Sequence, residues 1–173
     1  IMGDANPEVT EDFNLTLSNS GLTPGIDIGS NSNLLYTIFD DDNIPKVGFA
    51  LTTSSEPESV GIANVEIVRT GSTVNSASVE YRLRIPGGSG TAISGTDYTF
   101  VSGTANFPAS GTSFLIPIAI TEDLFDEPNE TIIIELYNNI DADIDAGFQE
   151  HELTIIDNDS PPTVTFAIPN SQG

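Results

Sequence analysis

Apolar residues recur at every second position through much of the chain. Val79, Tyr81, Leu83 and Ile85 alternate with Glu80, Arg82 and Arg84, the period of a strand with one buried and one wet face. Ile132, Ile134 and Leu136 alternate with Ile133, Glu135 and Tyr137 in the same way. Val60, Ile62, Val65, Ile67 and Val68 form a β-branched stretch closed by Thr70-Gly71. Phe100 to Phe107 reads as two short strands around Ser102-Gly103, Phe114 to Ile120 as another strand, and Leu153-Thr154-Ile155-Ile156 as the last. Pro117 has no N–H to donate, so its strand is expected at an edge or a bulge. Pro86-Gly87-Gly88-Ser89-Gly90 breaks the chain between two of these runs. No segment carries a 3.6-residue period. Short strands at regular spacing with turn signals between them predict an all-β fold, an antiparallel β-sandwich, with a barrel as the competing architecture.

The pattern also repeats. Thr37-Ile38-Phe39-Asp40-Asp41-Asp42-Asn43-Ile44-Pro45 returns as Thr154-Ile155-Ile156-Asp157-Asn158-Asp159-Ser160-Pro161-Pro162, an offset of 117 from Thr37 to Thr154. Val47-Gly48-Phe49-Ala50 returns as Val164-Thr165-Phe166-Ala167 at the same offset. Glu11 to Asn19 is echoed by Glu130 to Asn138 at 119, the drift of two falling in a loop, where insertions are best tolerated. A fixed period marks a tandem repeat array. The expected organisation is the last strands of one repeat in residues 1–43, a complete repeat in 44–160, and the first strand of a third in 161–173. Such a chain is expected to be a piece of something longer, its partners neighbouring repeats of the same polypeptide or identical chains.

Charge narrows the function. Twenty-six acidic residues face four basic ones, for a formal charge of −22. Phosphates would be repelled, which argues against nucleic acid and against an anionic membrane surface as partners. No apolar run is long enough to cross a membrane as a helix. There is no Cys, so any cross-link in an exported protein comes from elsewhere, and metal ions are one source.

The acids cluster at strand ends: Glu56 and Glu58, Asp97 in Gly95-Thr96-Asp97-Tyr98, the run Glu122-Asp123-Leu124-Phe125-Asp126-Glu127, and Asp157-Asn158-Asp159. Alternate strand ends of a sandwich gather at one pole, so groups distant in sequence can converge there. A single loop Asp is most simply a strand terminator making an Asx turn. Four clusters of hard oxygen ligands, without Cys and with one His, favour Ca²⁺ over Mg²⁺ and argue against zinc. His151, between Glu150 and Glu152, reads as an exposed strand-start residue. No nucleophilic triad has motif context, and a chain without Trp offers little for sugar stacking, so a hydrolase is disfavoured.

Glu58 followed by Gly71, Gly95-Thr96-Asp97-Tyr98, then Ile120-Thr121-Glu122-Asp123-Leu124-Phe125-Asp126-Glu127-Pro128-Asn129-Glu130 and Thr154-Ile155-Ile156-Asp157-Asn158-Asp159 resembles the Calx-beta domain over residues 44–160. That family takes its name from regulatory repeats of sodium–calcium exchangers and also occurs in cell-surface receptors and adhesin-like proteins. The resemblance implies an immunoglobulin-like sandwich with a Ca²⁺ cluster at the pole where the next linker begins. Carried over by position, the ligands are Glu58, Asp97, Glu122, Asp126, Asp157 and Asp159, with Asp123 nearby. Thr121 stands where calcium-sensing members carry Asp, and Asn158 interrupts their triple Asp. Each lost charge weakens a Ca²⁺ site, whereas Asp40-Asp41-Asp42 is intact. The function expected from all this is a non-enzymatic segment of a calcium-stiffened stalk or fibre, extracellular or at the cell surface. The alternatives are an adhesive module for a cell-surface protein or glycan, a filament subunit completed by strand exchange, and a cytosolic calcium sensor.

Overall fold

The computed structural model describes residues 8–18, 28–40, 42–85 and 88–167. Asp41, the Pro86-Gly87 part of the predicted break and the end of the 161–173 segment lie outside them. The chain divides into two units, Ile1–Ile44 and Pro45–Gly173.

In the first unit, β1 (Glu11–Thr16) and β2 (Asn33–Ile38) pair antiparallel as a two-stranded sheet. The second unit carries two five-stranded sheets. One has β4 (Thr53–Pro57), β12 (Glu150–Ile156), β10 (Glu130–Ile140), β6 (Ala77–Leu83) and β8 (Gly103–Phe107), in that spatial order. The other has β11 (Asp143–Ile144), β3 (Lys46–Phe49), β5 (Ile62–Thr70), β9 (Ser113–Ile120) and β7 (Tyr98–Thr99). Between them lies one core, with Val79, Phe107, Ile132, Ile134, Leu136 and Leu153 from the first sheet. Val47, Phe49, Val65, Ile67, Ile116 and Ile118 meet them from the second. Every one of these belongs to a period-2 face, so the alternation that predicts the strands also decides which side is buried.

Most pairings are antiparallel, but β4 runs parallel to β12 and β11 parallel to β3. The cause for β4 is that the chain changes sheets: β3 pairs with β5, and after a three-residue link, Ala50 to Thr52, the chain enters β4 beside β12. Pro117 fits this frame. It faces Asn64 of β5 on one side, while on the other β7 reaches only Ala119 and Ile120, so β9 is an open edge at the proline.

Besides Glu58, described below, two polar residues sit inward. His151 is buried, not exposed. Its Nδ1 lies 2.7 Å from Leu51 O and its Nε2 2.8 Å from Ser54 Oγ, tying the sheet-changing segment to β12. Burial pulls its pKa below the ordinary value. Arg69 is buried in phase with Val65 and Ile67, and its guanidinium donates to Ser72 O (2.7 Å) and Asn75 O (2.8 Å).

Candidate metal centre

The registers bring five chain segments to one pole. Pro57 of β4 pairs with Ile156 of β12, so Glu58 and Asp157 follow side by side. Glu130, the first residue of β10, pairs with Ile155. Ile120, the last residue of β9, pairs with Tyr98 at the start of β7, which sets Glu122 and Asp97 at the same end.

Glu58 opens a single 3₁₀ turn, Glu58–Val60, directly after β4. The turn folds its side chain inward, to 9 % exposure. Asp123 lies in the β9–β10 loop, its Oδ1 accepting the N–H of Phe125 at 2.7 Å, an Asx turn that fixes the carboxylate. Asp159 follows β12, its own N–H 3.4 Å from Asp157 Oδ1. One carboxylate oxygen from each of Glu58, Asp123 and Asp159 falls within 4.8 Å of the others. Glu58 Oε2 and Asp159 Oδ2 are buried with no hydrogen-bond partner among the described residues. Burial first, then the negative charges of Asp157, Asp123, Glu122 and Asp159, hold the Glu58 carboxyl above its usual range. Asp159 is raised likewise, by burial and then by Asp157, Glu122, Asp123 and Asp126.

A second group forms from Asp97, Glu127 and Glu130, again with one oxygen each within 4.8 Å of the others. Asp97 sits in the turn that precedes β7. Gly95 holds that turn at φ +90°, a region side-chain-bearing residues avoid. Asp97 Oδ2 closes the turn by accepting the N–H of Ile93. Its carbonyl oxygen accepts the N–H of Thr121 at 2.8 Å, which joins the turn to the end of β9. Burial, a hydrogen bond with Asp97, and the charges of Asp97, Glu127 and Glu58 push Glu130 up to about 7. Glu127, although exposed, is also raised, by desolvation and then by Asp123, Asp97 and Asp157.

The remaining predicted ligands surround these two groups. Glu122 Oε1 accepts from Asn158 Nδ2 at 3.3 Å. The backbone N–H of Asp157 donates to Asn129 Oδ1 at 3.1 Å, and its charge acts on Glu58, Asp159 and Glu127 alike. Asp126 is exposed and is the weakest of the charges raising Asp159. The geometry thus gathers Glu58, Asp123 and Asp159 in one group and Asp97 in the other. Glu127 and Glu130 are additions that sequence reasoning missed. Both stand in the acidic-Pro-Xaa-Glu stretch that carries the resemblance, and that stretch was the signal that could have found them.

A divalent cation fits this donor set. Every donor is a hard oxygen, and neither of the two buried oxygens has a donor among the described residues to compensate it. Ca²⁺–oxygen distances of about 2.3–2.6 Å put ligands across an ion roughly 5 Å apart, the scale on which each trio converges.

The fold and the family are shared with known proteins. The family model of the Calx-beta domain matches residues 40–159. The apo-form Calx CBD1 domain superposes with a TM-score of 0.60 at 26 % identity, covering 67 % of this chain and 99 % of that one. CBD12 from CALX1.2 gives a TM-score of 0.60 at 27 % identity, over 66 % of this chain and 45 % of that one. The calcium binding domain CBD12 of CALX1.1 gives 0.58 at 28 %, over 66 % and 44 %. The Calx CBD2 domain, at 12 % identity and a TM-score of 0.57, shares the fold. On the match to residues 40–159, the chain belongs to the Calx-beta domain family.

Proposed function

We propose that the second unit is a non-catalytic Ca²⁺-binding module that serves as a stiffening element in an extracellular or cell-surface array. The observation that carries the reading is the pair of buried, unpartnered carboxylate oxygens on Glu58 and Asp159, in a pole where every charge acting on them is negative. Glu58, Asp123, Asp159 and Asp157 would hold one ion, and Asp97, Glu127 and Glu130 would form the neighbouring position. Glu122 and Asp126 are the flanking donors. A crystal structure described as a calcium binding domain, at 28 % identity, supports the choice of ion.

The stiffening follows from where the ligands sit. Asp157 and Asp159 lie beyond the last strand, whereas Glu58, Asp97 and Asp123 belong to the body of the sandwich. An ion shared by both sets would fix the direction in which the chain leaves the domain. Without it, like charges push the exit segment away. Neutral Thr121 and Asn158 lower the charge of the site. Ligand charge count is one of the properties that tune such sites, with extracellular modules working at roughly 10⁻⁴–10⁻³ M, and the two neutral positions move this site in that direction.

Calorimetric titration of Ca²⁺ into the full chain tests the proposal, with thermal melts in calcium and in chelator. Saturable binding with a rise in Tm is expected. A Tm indifferent to both would return the pole to solvated loops.

A further inference from the structure

The hairpin β1–β2 copies the pairing of β10 with β12 residue for residue. Glu11 pairs with Ile38, Phe13 with Tyr36 and Leu15 with Leu34. In the second unit Glu130 pairs with Ile155, Ile132 with Leu153 and Ile134 with His151. The offsets of 119 for the first strand and 117 for the second therefore carry one register onto the other without a slip. A slip of one would have turned every side chain to the opposite face.

The two hairpins differ in what covers them. Ile132, Ile134, His151 and Leu153 are at most 3 % exposed, because the second sheet lies across them. Their counterparts Phe13 (41 %), Leu15 (54 %), Leu34 (56 %) and Tyr36 (45 %) share one face of β1–β2 and are open to solvent. Phe13 and Tyr36 cover each other only in part, with ring centroids 5.3 Å apart. The opposite face carries Asp12, Asn14, Thr16, Asn33 and Thr37 with Leu35 as its one apolar residue, so the apolar stripe lies chiefly on one side. Two strands alone do not make a stable sheet in water.

We infer that this face of β1–β2 docks against the sheets of a further Calx-beta sandwich, one whose own strands end before its last two and which lies upstream in the same polypeptide. The occupant is specified by the second unit, where β3–β9 complete the sandwich around the equivalent hairpin and residue 129 leads straight into β10. A second copy of the chain is a poorer occupant. Its own sandwich is already filled by β10 and β12, and the sequence that repeats β3, around Val164 and Phe166, is a single exposed segment outside any strand. The inference deepens the array reading and is independent of calcium.

The test is a chain in which a second copy of residues 45–129 is fused directly ahead of Glu11, compared with the unextended chain by amide hydrogen exchange. Both are measured in calcium and in chelator, so that failure of metal binding leaves this readout intact. In the unextended chain, the amides of β1 and β2 should exchange quickly, the protein should sediment as a monomer, and a hydrophobic dye should bind and be lost in Phe13→Ser. In the extended chain those amides should slow by about 100-fold or more, toward the protection of β10 and β12. Phe and Tyr are larger than the Ile and Leu they replace. The extended chain carrying Phe13→Ile and Tyr36→Leu, which restores the residue types of the second unit, is therefore the companion variant. Fast exchange in both extended chains overturns the inference. So does a dimer of the unextended chain that Phe13→Ser dissociates.

Discussion

Glu58, Asp123 and Asp159 come from a 3₁₀ turn, a loop and the segment after the last strand, and two of their oxygens are buried with no donor among the described residues. Asp97, Glu127 and Glu130 come from a turn, a loop and the start of β10, and Glu130 and Asp97 share a hydrogen bond. Both groups stand at one pole, and the second feels the charges of the first, Glu58 acting on Glu130 and Asp123 on Glu127. They differ in how they can be discharged. The second group has an internal remedy, since a proton held between Glu130 and Asp97 removes one charge at near-neutral pH. The first has no such shared proton, and an ion bridging its three side chains is the arrangement that compensates both orphaned oxygens. Convergence of acids alone does not make a metal site; burial without a donor is what demands a cation.

Removing calcium should have the largest effect. A ligand at about 100 times its Kd stabilises by about 2.7 kcal/mol, which for a domain of this size is roughly 10 °C in Tm. Scanning calorimetry of the full chain in calcium and in chelator measures it. An unchanged Tm would erase the distinction between the groups, because neither would then be a metal site.

Glu58→Gln should sharpen the distinction through opposite signs. In calcium it removes a charged ligand, and affinity should fall by about tenfold or more, since ligand charge sets the Kd of such sites. In chelator it removes a buried charge held among four other acids, so Tm should rise. A merely structural Glu58 would shift both melts in the same direction.

Asp97→Ala should act more weakly on calcium, by several-fold in a titration on the order set by one lost oxygen ligand. It should also act on the other group member. Glu130 loses its hydrogen-bond partner and the largest of its three carboxylate repulsions. Its midpoint, followed by carbon-detected NMR of the carboxyl, should drop toward the ordinary value. A midpoint that stays near 7 would show that burial alone raises it.

Much of this was legible in the chain, for reasons that also explain the rest. Period-2 alternation identifies Val79, Tyr81, Ile132, Ile134 and Leu136 as inward, because one wet face per strand is a local property. The polar clusters were visible because strand ends are marked by turns. The parallel β4–β12 pair was not legible: Thr53-Ser54-Ser55-Glu56-Pro57 has no apolar phase, and its place is set by the chain crossing between sheets. That pairing delivers Glu58 beside Asp157, so the depth of Glu58 was hidden with it. Glu127 and Glu130 merge with an acidic run until the fold sets them against Asp97. His151 and Arg69 could have been found, since each is in phase with buried neighbours, Leu153 and Ile155 in one case and Val65 and Ile67 in the other. For His151, residue type outweighed phase in the reading of the chain.

The smallest effect separates proton from cation. Glu130 is near 7 when folded against 4.5 in its unperturbed state. Between those values the folded chain binds more protons than the unfolded one, so stability falls as pH rises. The contribution is fully present below 4.5 and is lost as pH passes through 7. Glu58, Glu127 and Asp159 are raised too and act with the same sign. In chelator, Tm should therefore climb on acidification from pH 8 toward 5, and Glu130→Gln should flatten the part of the slope nearest 7. In saturating calcium the slope should shrink or reverse, because protons then compete with the ion. A chelated protein whose Tm is level across this range would mean that the second group has no proton to share, and that the two groups are discharged alike.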